Sequence, residues 1–140
     1  EDPEVMAHFL RLGELRKNFP GGWMGDKRSA FTLNGRTRLQ QAYFDLTRRL
    51  LQWRKTCSAI AYGTLTHYMI RNGVYVYSRQ LAAKTVTVII NGTDKPTKVD
   101  LSVYAEVIPE CEAYEVLTNC RISLPDVLPL EKRGVRILEF

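Results

Sequence analysis

Residues 64–79 read TLTHYMIRNGVYVYSR, and their alternation decides how the chain is built. Apolar and polar side chains alternate with period two on both sides of Asn72-Gly73. That dipeptide readily takes the positive φ angles of a two-residue hairpin turn, so the stretch reads as two antiparallel strands. The same grammar continues downstream. TVTVIIN (85–91) runs into a turn at Asn91-Gly92, and KVDLSVY (98–104), YEVLT (114–118), RISL (121–124), VLPL (127–130) and VRILEF (135–140) follow, separated by turn residues. About seven or eight short strands at this spacing predict an antiparallel β-sandwich. Asn91-Gly92-Thr93 also matches a glycosylation sequon, but a hairpin turn explains it equally well and is the preferred reading.

Upstream of Gly63 the period is helical. In TRLQQAYFDLTRRLLQWRK (37–55), Leu39, Tyr43, Leu46, Leu50 and Trp53 recur at alternating spacings of four and three and form one apolar stripe. Phe44 and Leu51 widen it, so this amphipathic helix expects a broad surface to cover. Thr37 and Gln40 have the spacing of a capping box, in which hydroxyl and amide satisfy free N–H groups at the helix start. Residues 14–36 show no period and carry four glycines, which marks a long loop of the kind that persists in compact domains when it is functional. Ahead of it, DPEVMAHFLRLG has the composition for one or two helical turns.

The 140 residues suit one domain or a small domain with an appendage, and a 45% hydrophobic fraction is enough for a real core. A net charge of +5 raises a nucleic-acid reading. No matching motif accompanies Arg48-Arg49, Arg54-Lys55 or Lys27-Arg28, so these read as solvated surface, with no nucleic acid as partner. No apolar run approaches the length of a membrane span, and no signal peptide is expected. Of three cysteines, Cys57, Cys111 and Cys120, an odd count leaves at least one unpaired. Cys111 and Cys120 suit either a bridge across a β-hairpin or two buried thiols. His8 and His67 are far apart, and no Cys/His cluster occurs, so neither a metal nor a cofactor is expected.

Catalytic groups are sparse. Glu110 and Glu112 fall in a polar stretch between strands, Glu14 and Asp26 lie in the loop, and His67 reads as a half-buried strand residue. None pairs into an acid/base constellation, and no nucleophile elbow or phosphate loop is present. The loop offers more. Phe19 and Trp23 bracket Pro20-Gly21-Gly22, placing two aromatic rings on a restrained segment beside Arg16 and Asp26. Rings stack on the apolar faces of sugars while charged groups bond hydroxyls.

ELRKNFPGGWMGDKRSAFT, LLQWRKTCSAIAYGTLTHY, GVYVYSR, VTVIINGT, DLSVYAEVI, VLTNCRISL and RGVRILEF, in this order, resemble the C-terminal end of an α-amylase-family glycoside hydrolase. The likeness is nearest to the neopullulanase and cyclomaltodextrinase-like enzymes of gut Bacteroides and covers residues 14–140. The resemblance implies an α+β fragment, mainly β. Residues 1–60 would be the end of a catalytic (β/α)8 barrel, comprising the loop after strand eight and the last barrel helix, and residues 61–140 a C-terminal all-β sandwich. The family's aspartate nucleophile, glutamate acid/base and second aspartate lie in motifs that this sequence lacks. The implied enzyme therefore acts on maltooligosaccharides, cyclodextrins or pullulan through a site that this chain does not complete, and the chain alone is expected to be inactive. Trp23 and Phe19 are the expected sugar contacts, with Arg16 and Asp26 as polar or loop-bracing partners. The implied partners are an α-glucan and the remainder of the barrel; without the barrel, helix 37–55 is expected to self-associate or to fold back on the sandwich. The family's habit places the enzyme in the periplasm or cell envelope, in starch utilisation. The rivals are a free-standing carbohydrate-binding module and a non-catalytic interaction domain.

Overall fold

The structure, a computed structural model, describes residues 19–140. It divides into two compact units, one ending at Arg48 and the other comprising Arg49–Phe140. The helical turns expected ahead of residue 14 lie outside the described residues.

The main helix, α1, is Arg38–Thr56. Its start is the expected capping box: Gln40 N–H donates to Thr37 Oγ1 at 3.2 Å, and Thr37 N–H donates to Gln40 Oε1 at 2.8 Å. Arg54 and Lys55 in its last turn complement the partial negative charge of the C-terminus. A second short helix, α2 (Ser58–Tyr62), follows; its five residues are too few to show a period in the sequence.

Eight strands follow among the described residues: β1 Thr64–His67, β2 Val74–Leu81, β3 Lys84–Asn91, β4 Thr97–Asp100, β5 Glu112–Glu115, β6 Cys120–Ser123, β7 Val127–Leu130 and β8 Val135–Glu139. Six form one antiparallel sheet in the order β1-β2-β3-β8-β5-β6, and β4 and β7 form a second. The fold is mainly β with one main helix, as expected. The β1–β2 hairpin turns at Asn72 (φ 50°) and Gly73 (φ 75°), with Arg71 and Val74 exchanging both backbone hydrogen bonds at 3.1 and 2.8 Å. Positive φ at both central residues matches the right-handed twist of the flanking strands.

The period-two pattern sets which side chains meet in the core. Val74 and Val76 of β2, Ile89 of β3, Leu138 of β8 and Ala113 of β5 meet Val99, Leu128 and Leu130 of the smaller sheet in one buried cluster. Leu101, Tyr104 and Val107, from the segment that follows β4, complete it. β3 is buried on both faces, with residues 85–89 all buried. Its second face is covered where Val86 packs with Cys57 and Ala59, joined by Trp53, Ile60, Leu81 and Ile137. Thr87 and Ser78 are polar but fully buried, and the Thr87 hydroxyl donates to the Val107 carbonyl.

Several local expectations need correction. KVDLSVY is not one strand: Asp100 Oδ1 accepts from Ser102 N–H at 3.0 Å and from its hydroxyl at 2.6 Å, turning Leu101–Tyr104 into a 3₁₀ turn. YEVLT stops at Glu115, where Asn119 N–H bonds the Glu115 carbonyl at 2.8 Å and Asn119 takes φ 59°. Cys111 and Cys120 are neither bridged nor buried; both are free and exposed. The hairpin register explains why: Cys120 sits opposite Glu115, whereas Leu124 N–H bonds the Cys111 carbonyl at 2.7 Å, at the other end of the ladder. His67 is exposed at the end of β1, not half-buried in mid-strand.

Candidate functional site

The loop of residues 19–36 folds on itself through hydrogen bonds that its glycines permit. Gly22 N–H donates to the Phe19 carbonyl at 3.0 Å, with Gly21 at φ 93°. Asp26 closes the tip: its Oδ2 accepts from Gly21 N–H at 2.7 Å and from Trp23 N–H at 3.3 Å. The neck closes where Ala30 N–H donates to the Pro20 carbonyl at 2.8 Å. At Gly35 a Cβ would run into the backbone of Ser29, so only glycine lets the two arms pass this closely.

This frame presents aromatic surface to solvent. Trp23 is 66% and Phe19 55% exposed. The Phe19 ring lies 4.7 Å from that of Phe31, tilted by 56°. Phe19 also lines an apolar groove of about 320 Å³ together with Ala30, Arg36, Tyr43 and Phe44. Trp23 does not line that groove; it stands at the loop tip, joined to Asp26. Arg16 lies outside the described residues. The structure therefore brings Trp23 and Asp26 together, places Phe19 in an adjoining groove, and offers ring faces edged by Arg36 and Gln40. Such an arrangement can hold the apolar face of a ring-shaped polar ligand.

Arg36 is the residue that the sequence pattern does not single out. Its Nε–H donates to the Ala30 carbonyl at 2.7 Å, one terminal nitrogen to the Phe31 carbonyl at 3.0 Å and the other to Gln41 Oε1 at 3.1 Å. Its guanidinium carbon stands 3.6 Å from the centre of the Phe44 ring. The only local signal is an arginine immediately before a capping box.

Within Arg49–Phe140, Glu110 and Glu112 are exposed, as their polar surroundings predict. The fully buried carboxylate is Glu115, whose oxygens accept from the N–H groups of Thr118 (2.7 Å), Leu117 (3.3 Å) and Ile137 (3.3 Å). Burial pushes its pKa up, but the Thr118 side chain and these backbone N–H groups together outweigh burial and hold it below the ordinary glutamate range. It is a structural anion that ties the turn after β5 to β8. Tyr68 is tied similarly: burial and the Glu106 carboxylate, 2.5 Å away, push its phenol up to about 12. Among the described residues no group of three or more His, Cys, Asp or Glu is placed to hold a metal ion, and no helix is long and apolar enough to cross a membrane.

Residues 65–139, more than half of the chain, match the family described as the cyclo-malto-dextrinase C-terminal domain. Among solved structures, AmyP in complex with maltose superposes with a TM-score of 0.62 at 16% identity, over 74% of this chain and 21% of that one. An Anoxybacillus α-amylase gives 0.57 at 20% identity, over 85% of this chain and 26% of that one. The Geobacillus thermoleovorans α-amylase complexed with acarbose gives 0.51 at 20% identity, over 62% and 20%. At these identities the likeness is one of fold. The chain spans only 20–26% of the length of these three proteins.

Proposed function

The chain belongs to the cyclomaltodextrinase C-terminal domain family, and from that membership we propose that it forms the C-terminal end of an α-amylase-family glycoside hydrolase. Its substrates are maltooligosaccharides, cyclodextrins or pullulan. Residues 1–60 end the catalytic barrel, with α1 as its last helix, and residues 61–140 form the all-β domain that follows it in the chain. The observation that carries this reading is the uncovered first part of the α1 stripe, ahead of Leu50 and the half-buried Trp53. No residue of this helix is buried, and Leu39, Tyr43 and Leu46 are 66%, 64% and 37% exposed. A stripe of large apolar side chains facing water marks a surface made to be covered, and the outward face of a barrel's inner strands is such a cover.

In this reading the loop of residues 19–36 is a wall of the sugar site. Trp23 and Phe19 stack on glucose rings, Asp26 braces the loop tip, and Arg16 supplies a further polar contact. Retaining hydrolysis needs two carboxyl groups about 5–5.5 Å apart on either side of the scissile bond. Here they come from earlier barrel strands, not from Glu110 and Glu112, which belong to the all-β domain. The intact enzyme works in the periplasm or cell envelope, which fractionation of the source cells would check.

The test compares the 140-residue chain with the intact enzyme on a maltooligosaccharide and a cyclodextrin. The chain alone gives no turnover and negligible affinity, and it self-associates through α1 in sedimentation; the intact enzyme cleaves both. Turnover by the isolated chain would overturn the assignment, and tight binding by it would favour a free-standing carbohydrate-binding module.

A further inference from the structure

We propose that Arg36 is a positioning residue that holds Trp23 where its ring meets an α-glucan; this rests on the function proposed above. A path of hydrogen bonds, linked through the Pro20–Gly21 peptide, joins Arg36 to the Trp23 backbone. On the helix side, the Arg36 guanidinium is held by Gln41 Oε1 at 3.1 Å and by the Phe44 ring at 3.6 Å. On the loop side it grips two successive carbonyls, Ala30 at 2.7 Å and Phe31 at 3.0 Å. Ala30 uses its own N–H to hold the Pro20 carbonyl at 2.8 Å. The next residue, Gly21, and Trp23 both donate to Asp26 Oδ2, at 2.7 and 3.3 Å. Every step from the first turns of α1 to the Trp23 backbone is thus a bonded step.

The choice of arginine follows from the geometry. A planar fork with fixed N–H directions can satisfy two neighbouring carbonyls, a side-chain amide and an aromatic face at once, whereas a lysine ammonium offers one compact point. The benefit is preorganisation. A loop backbone held before the sugar arrives loses little conformational freedom on binding, and the affinity supplied by the Trp23 ring that it carries gains accordingly. Arg36 touches no reacting atom, so its effect belongs in substrate binding and not in the chemical step.

The experiment is a double-mutant cycle in the intact enzyme, with kcat and KM measured for a maltooligosaccharide. Trp23→Ala raises KM about tenfold with kcat within about twofold, and Arg36→Met raises KM about fivefold in the same pattern. Trp23→Ala combined with Arg36→Met raises KM by clearly less than the product of the two single effects, because Arg36 acts largely through Trp23. Arg36→Lys, which keeps the charge but not the fork, also raises KM and guards against a folding defect in the methionine variant. If the Arg36 variants leave KM unchanged, or raise it equally when Trp23 is absent, the inference is overturned while the site reading stands on Trp23→Ala. If Trp23→Ala itself leaves KM unchanged, the site reading falls and takes the inference with it.

Discussion

Trp53→Ala tests how the helical segment is fastened to the sandwich of its own unit. The indole is half-buried near the end of α1 and packs on the cluster of Cys57, Ala59 and Val86 together with Ile60, Leu81 and Ile137. Its Nε1–H donates to Glu139 Oε2 at 2.8 Å. Truncating a fully buried tryptophan costs ~3–5 kcal/mol; with the ring half-buried, the packing share is ~2 kcal/mol. The hydrogen bond adds ~1 kcal/mol, since Glu139 keeps partial access to water. The expected loss is therefore ~3 kcal/mol, and Trp53→Phe, which keeps a ring but not the donor, should lose about half as much. Urea melts of the 140-residue chain followed by far-ultraviolet circular dichroism read this without depending on tryptophan emission. With a slope of ~1.5 kcal/mol per molar urea, the midpoint of Trp53→Ala falls by ~2 M at unchanged slope. A loss below ~1 kcal/mol would refute this packing of the indole against the sandwich.

Three further expectations follow from particular side chains. Glu115 has a pKa lowered in the fold, so its contribution is fully present above the ordinary glutamate value of about 4.3 and is lost as pH falls through the lower folded value. Glu115→Gln should cost ~1.5–3 kcal/mol at neutral pH and flatten the acid limb of the stability profile; an unchanged limb in urea melts at about pH 3 and 7 would contradict this. Asn91 is 1% exposed, its amide bonded to the Lys95 and Glu131 carbonyls at 2.7 and 2.9 Å and to Thr93. Asn91 ends β3 and leads into the other sheet and not into the expected hairpin, since β4 pairs with β7. Expression in a glycosylating host should leave the intact mass free of a glycan at this sequon, and a glycan found there would mean that the Asn91 amide is not buried and bonded as described. Cys111 and Cys120 should react with a thiol reagent in the native state while the buried Cys57 waits for denaturant, and a count of reactive thiols with and without guanidinium decides it.

The parts legible in the sequence are those set by neighbours along the chain. Asn72-Gly73 dictates its own turn, Thr37 and Gln40 cap a helix within one turn, and alternation in VYVYSR sets which side chains face the core, whereas in TVTVIIN the polar Thr85 and Thr87 are buried along with the valines because β3 is covered on both faces. What escapes depends on partners remote in sequence or on side chains bonding to backbone. Asp100 and Glu115 end strands by capturing N–H groups beyond them, so two stretches with good strand composition stop short. Cys111 and Cys120 suit a bridge by composition, but register places them at opposite ends of the ladder. At the candidate site, the aromatic residues and glycines of 19–25 stand out in the sequence, whereas the hold of Arg36 on Ala30 and Phe31 exists only once the neck has closed.

The most direct test of the account is a crystal structure of the intact enzyme with a maltooligosaccharide bound. It should show the Trp23 ring against a glucose face within about 4 Å, and Leu39, Tyr43 and Leu46 covered by barrel strands. A sugar bound with Trp23 still in solvent, or a stripe still facing water, would contradict the account.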